Sequence, residues 1–276
     1  MAKYRLLRER LAATEKFEFS RAPLATAATI GIAHDPGYVR DFLAGALPAD
    51  VMRRIGFPWS EPLVQRTCAS VGGTLAAARQ ALAHGWSGTL AGGTHHAFHA
   101  EGSGYCIFND IVIAIKTLRF EGLIRRAAVI DLDVHQGDGT ALLLADDALS
   151  YTLSIHGRLN FPFRKQRSTV DVELEDGCED SEYLTRVAAA LPAAMAFGPD
   201  IVFFQAGVDA LRTDVLGRLG LTLAGMGTRD ESVFDAVAGV PLVITLGGGY
   251  SSPIGHTVDA HAQTFLGALE FFGDDS

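Results

Sequence analysis

An α/β fold with a central, mainly parallel sheet is what this sequence predicts, and three observations predict it. Apolar runs rich in β-branched residues alternate with longer stretches of helical period, the pattern of strands joined by crossover helices. Polar clusters follow several of these runs, at the sheet edge where open parallel sheets bind ligands. The 276 residues contain no Gly/Ser-rich or Pro-rich divider and no internal repeat, so one domain over 1–276 is expected.

Strands are expected at residues 28–33, 88–91, 127–132, 150–155, 201–205 and 242–246. Between the first two, Val64, Cys68, Val71, Leu75, Ala78 and Leu82 step by fours and threes, which makes one face of a helix apolar. Ser60 can cap that helix, and Pro62 is tolerated in its first turn. A second helix is expected from Asn109, with Ile111, Ile115 and Leu118 turned inward. A third spans about 181–197, where Pro192 predicts a bend or a break.

Charge and composition exclude several roles. A net charge of −9 argues against a broad phosphate-binding surface, so no nucleic-acid partner is expected. The opening MAKYRLLRERL is charged throughout and lacks a signal-peptide core, and no apolar run reaches membrane-spanning length. Cys68, Cys106 and Cys178 are widely spaced, which indicates neither a disulfide framework nor a thiolate metal site. A cytoplasmic protein is expected; nothing specifies its oligomeric state.

The clusters at the strand ends are TLAGGTHH, VIDLDVHQGD, TLSIH, FFQAGVDA and ITLGGGY. Each has a plain structural reading. An aspartate after a strand, such as Asp209, is more often a helix cap or turn residue than a ligand. His95 and His96 alone could be satisfied core histidines, and the glycines before Tyr250 a tight turn. Their recurrence on one edge is what needs a further cause.

Asp131, Asp133 and His135 would share a face if extension persisted past the strand, and three polar groups turned into a buried sheet are costly without a cation. Carboxylate and imidazole suit zinc, and three protein ligands leave a position open. Asp133 and His135 supply two, and Asp209 is the natural third. Such an ion polarises a carbonyl and activates water, so hydrolysis is the expected chemistry. A histidine pair to move protons, carboxylates behind it and a phenol to meet an oxyanion complete the set. Adjacent His95 and His96 cannot point the same way in an extended chain, so a turn at Gly92 and Gly93 must present them.

The motifs RRIGFPWSE, GGTHHAFHAEGSGYCIFND, DLDVHQGDGT, SIHGRLNFP, QAGVDALRTDVLGRL and LGGGYS, in this order, resemble the histone deacetylase superfamily, and most its class IV-like bacterial branch. The resemblance covers nearly the whole chain. It implies an arginase/deacetylase-like three-layer fold and one zinc ion per chain on Asp133, His135 and Asp209. It implies His96 as base and then acid, with His95 as electrostatic support. Asp131 and Asp138 match the carboxylates behind the two histidines, and Tyr250 the donor to the substrate carbonyl. A structural potassium ion is implied at Asp131, Asp133, His135, Ser154 and the carbonyl of Ile155. Gly104, Tyr105 and Gly248 match positions lining a narrow substrate tunnel. Relatives of this branch carry a further strand upstream of the segment matching MAKYRLLRERL, so the first family strand is expected to be absent and a sheet edge exposed.

The expected substrate is an acylated lysine side chain of a protein, with an acylpolyamine or another small acylated amine as the alternative. Two other classes stay open at this point: a ureohydrolase with two manganese ions, and a non-enzymatic module that binds acyl-amines.

Overall fold

A computed structural model describes residues 2–273. Its elements run α1 (Ala2–Ala12), α2 (Ala27–Ile30), α3 (Pro36–Leu43), α4 (Ala49–Ile55), α5 (Glu61–His84), β1 (Trp86–Gly88), α6 (Asp110–Phe120), β2 (Ala127–Asp131), α7 (Asp138–Leu143), β3 (Ser150–Gly157), β4 (Val170–Leu174), α8 (Asp180–Ala196), β5 (Ile201–Gln205), α9 (Leu223–Ala236), β6 (Leu242–Thr245) and α10 (Gly255–Phe272). The six strands form one sheet in the order β1-β6-β5-β2-β3-β4, and every pairing is parallel.

Strand alternation divides the core into two layers despite the continuous apolar runs. Ala128, Ile130, Val202, Phe204, Leu242 and Ile244 pack toward α1, α8, α9 and α10. Ala127, Val129, Ile201, Phe203 and Val243 pack toward α3, α5 and α6. The result is three layers, helix, sheet and helix.

Two expected helices form as read. Ser60 accepts from the Leu63 N–H at 3.3 Å to start α5, and Asn109 accepts from the Val112 N–H at 3.1 Å to start α6. Pro192 does not break α8. Both Pro192 and Ala188, whose carbonyl it leaves without a partner, lie on the exposed face, where water can take that bond.

The strand expected at 28–33 is a correction: that segment is the short helix α2. Thr26 caps it by accepting from the Thr29 N–H at 3.1 Å, and a short apolar run does not itself distinguish a strand from a buried turn of helix. The strand expected at 88–91 lies earlier, as β1, although the Thr89 N–H still donates to the Ile244 carbonyl at 3.0 Å. Edge strand β4 had not been expected; its alternation of Val170, Val172 and Leu174 with Asp171 and Glu173 is the signal that marks it. No helix among the described residues is long and apolar enough to cross a membrane.

Candidate metal and catalytic site

The loops leaving β2, β5 and β6 and the turn after β1 converge at the C-terminal edge of the sheet. β2 ends at Asp131, and the chain then turns so that Asp133 and His135 face the loop after β5. The His135 Nδ1 lies 3.0 Å from Asp133 Oδ1 and 3.1 Å from Asp209 Oδ2. Ligand atoms of these three residues all fall within 4.8 Å of one another. The Val134 N–H donates to Asp209 Oδ1 at 2.9 Å, which keeps that carboxylate turned toward the group.

This donor set fits a divalent ion. Two carboxylates and an imidazole are zinc ligands, and separations near 3 Å are what ligands bound at about 2 Å around one ion adopt. Burial and the Asp133 charge raise Asp209 to about 6, so the two carboxylates repel when a cation is absent. A Cβ at Gly248 would sit 1.8 Å from Asp209 Oδ2, and the Gly248 N–H donates to Asp133 Oδ2 at 2.6 Å. Only glycine admits both carboxylates there.

Gly92 and Gly93, at φ 78° and 75°, make the turn that presents the histidine pair. Both rings are buried, with Nε2 atoms 3.1 Å apart. His95 Nδ1 meets Asp131 Oδ2 at 2.7 Å, and His96 Nδ1 meets Asp138 Oδ1 at 2.6 Å. The two environments push the histidines in opposite directions. Burial lowers His95, but the charges of Asp131 and Asp133 outweigh it and raise the ring to about 9. Burial and the neighbouring His95 lower His96 to about 4, against the pull of Asp138. The surroundings thus favour the charged form of His95 and the neutral form of His96.

Tyr250 reaches the same cavity through the turn after β6. Its N–H donates to Asp214 Oδ2 at 2.5 Å, and burial together with Asp209 and Asp133 raises its phenol far above the ordinary value. Lys3, buried on α1, donates to the Gly247 carbonyl at 3.0 Å and lies 4.9 Å from the centre of the Tyr250 ring.

Gly104, Tyr105 and Gly248 all line this cavity, whose volume is about 1610 Å³. Tyr105 holds a left-handed conformation, φ 65°, with its N–H on the Ile55 carbonyl at 2.8 Å and its ring 5.2 Å from Phe57. Ser154 lies beside Asp131 in the β2–β3 register, and its hydroxyl meets His156 Nδ1 at 2.9 Å; Ile155 follows it in β3.

Three supports were not read from the sequence. The Asp110 carboxylate accepts from the Gly93 and Thr94 N–H groups at 3.0 and 2.7 Å and from the Thr74 and Thr94 hydroxyls, so α6 fixes the histidine turn. Gln205 donates to the Gly93 carbonyl at 2.8 Å and accepts from Thr245. Arg229 is wholly buried and donates to the Gly207 carbonyl at 2.6 Å. The Asp in FND was available as a signal, whereas Arg229 had none near the motifs.

A histone deacetylase domain model matches residues 1–265. An uncharacterized protein of Picosynechococcus sp. strain PCC 7002 is 43% identical over 248 residues, which is 89% of this chain and 83% of that protein. Histone deacetylase 2 of Arabidopsis thaliana is 38% identical over 186 residues, 65% of this chain but 48% of that protein, so the match spans about half of its length. The crystal structure of an HDAC homolog from Aquifex aeolicus superimposes with a TM-score of 0.81 at 22% identity, covering 99% of this chain and 77% of that one, and shares the fold.

Proposed function

This chain belongs to the histone deacetylase family, and from that premise we propose that it is a zinc-dependent hydrolase that cleaves the amide of an acylated lysine side chain. The observation that carries the reading is the meeting of Asp133, His135 and Asp209 beside a histidine pair in which each ring is backed by its own carboxylate.

Asp133, His135 and Asp209 would hold the zinc ion, one per chain. When bound, it supplies Lewis acidity toward the amide carbonyl and lowers the pKa of water. His96, neutral and oriented by Asp138, takes a proton from the attacking water and passes it to the departing amine. His95, kept cationic by Asp131, offsets the negative charge that develops. Tyr250 keeps its proton and donates to the carbonyl oxygen as it becomes an oxyanion. Gly104, Tyr105 and Gly248 line the passage for the acyl-amine chain. Asp131, Asp133, His135, Ser154 and Ile155 would hold a structural potassium ion, partly through backbone oxygens. The protein acts in the cytoplasm, a reading supported by three buried free cysteines.

Acylpolyamines present the same amide, so chemistry at the metal does not discriminate against them. A two-manganese ureohydrolase needs further bridging carboxylates, and among the described residues one group of metal-ligating side chains converges. The test is hydrolysis by the zinc-loaded protein of acyl-lysine peptides and acylpolyamines graded by acyl length. Turnover that depends on zinc is expected; a loaded protein inert toward the whole panel contradicts the reading.

A further inference from the structure

The chain as a whole is acidic, with 32 Asp and Glu against 23 Lys and Arg. The wall of its main cavity has the opposite balance. Arg8, Arg21, Arg53, Arg54 and Arg218, all exposed, line it together with the buried Lys3. Among the described residues of that wall, Glu18 is the only carboxylate besides Asp133 and Asp209.

Local pairing does not cancel this excess. Arg54 meets Glu101 at 3.6 Å and Arg218 meets Asp176 at 3.0 Å, both in exposed pairs whose carboxylates lie outside the cavity wall. Exposed pairs of this kind bind weakly and are readily exchanged. Asp214, whose carboxylate accepts from the N–H groups of Leu216, Gly217 and Tyr250, is not among the wall residues. The Arg66 guanidinium lies over the Phe57 ring at 4.5 Å, and Phe57 backs Tyr105, so one side of the passage is walled by aromatic rings.

A substrate has to bring its amide past these groups. An acylated polyamine retains at least one ammonium beyond the amide, and among the described wall residues Glu18 is the single carboxylate outside the metal group to receive it. Like charge at the entrance slows encounter and weakens binding, while opposite charge speeds and strengthens it. Resting on the hydrolase reading above, we infer that the substrate is an acyl-lysine carried in an acidic protein segment, and that the cationic wall selects against acylpolyamines and against lysines flanked by basic residues.

The test compares kcat/KM of the zinc-loaded protein for three acetyl-lysine peptides, flanked by aspartates, by neutral residues or by lysines, and for N-acetylspermidine, at low and raised ionic strength. The aspartate-flanked peptide is expected to exceed the lysine-flanked peptide and N-acetylspermidine by about tenfold or more at low salt, the range electrostatic steering spans. Added salt should narrow the gap. Arg53→Glu, an exposed change in that wall, should narrow it too. Equal or faster turnover of N-acetylspermidine, or a gap indifferent to salt, overturns the inference while leaving the hydrolase intact. If only longer acyl groups are cleaved, the same four carriers bearing that acyl group decide; a protein inert toward every acyl length fails as a hydrolase, and the inference falls with it. If Arg53→Glu does not fold, the salt dependence of the unaltered protein decides.

Discussion

Arg229 on α9 donates to the carbonyl of Gly207 at 2.6 Å, through the layer of side chains beneath the sheet edge. Gly207 presses on Asp133, where a Cβ would lie 2.4 Å from Oδ2, and stands two residues before Asp209. The guanidinium is itself held by Asp230 at 2.7 and 2.8 Å, and Asp230 accepts from the Thr264 hydroxyl at 2.6 Å. One buried cation thus sets the loop between two metal-ligand candidates. Arg229→Met should cost about 3–5 kcal/mol of stability, because Asp230 is left buried and unpaired. Zinc affinity should fall about 10–100-fold, as loss of outer support to a metal site does. Denaturant midpoints and chelator competition measure the two effects, and Arg229→Lys should recover part of the first.

Asp110 acts on the histidine pair as Arg229 acts on the metal loop. Asp110→Asn loses acceptor capacity at a carboxylate that takes four hydrogen bonds. The turn bearing His95 and His96 should loosen, lowering kcat by about 100-fold, the effect of a misplacement near 1 Å. KM should change little; a rise in KM at constant kcat contradicts this role.

Tyr250→Phe removes the phenol proton that burial preserves. Loss of one oxyanion donor typically lowers kcat by about 10²–10³. Steady-state kinetics should show that loss with KM nearly constant, whereas a binding module would change neither affinity nor residual turnover appreciably.

Asp147 gives a pH-dependent term far from the site. Burial raises its carboxyl, but the Ser150 hydroxyl, Arg119 and the Leu149 N–H outweigh it and hold it below the ordinary carboxylate value. Its folded pKa is depressed, so its stabilisation is complete above the unfolded value of 3.8 and is lost as pH falls through the lowered folded value. The stability gap between the unaltered protein and Asp147→Asn should therefore be largest near neutrality and close in acid. Urea midpoints from neutral pH into that range check the sign; a gap that widens in acid contradicts it.

Much of the site was legible because its chemistry is packed into short motifs. Asp133 and His135 sit two residues apart in DLDVH, the paired histidines follow GGT, and the α/β class with a parallel sheet follows from the alternation of runs. The supports were not legible, because Arg229, Gln205 and Lys3 reach the site from elements distant in sequence and lie among ordinary helix or strand residues. The helix at Ala27–Ile30 was hidden for a different reason. Its four residues are too few to display a period, and the capping by Thr26 decides the conformation.

Titration of zinc into the metal-free protein tests most directly whether Asp133, His135 and Asp209 form one ion site. The unaltered chain should take up one equivalent, and Asp209→Asn, still folded by circular dichroism, should bind it far more weakly and lose hydrolysis with it. Undiminished zinc affinity in Asp209→Asn, or no uptake by the unaltered chain, would contradict the account.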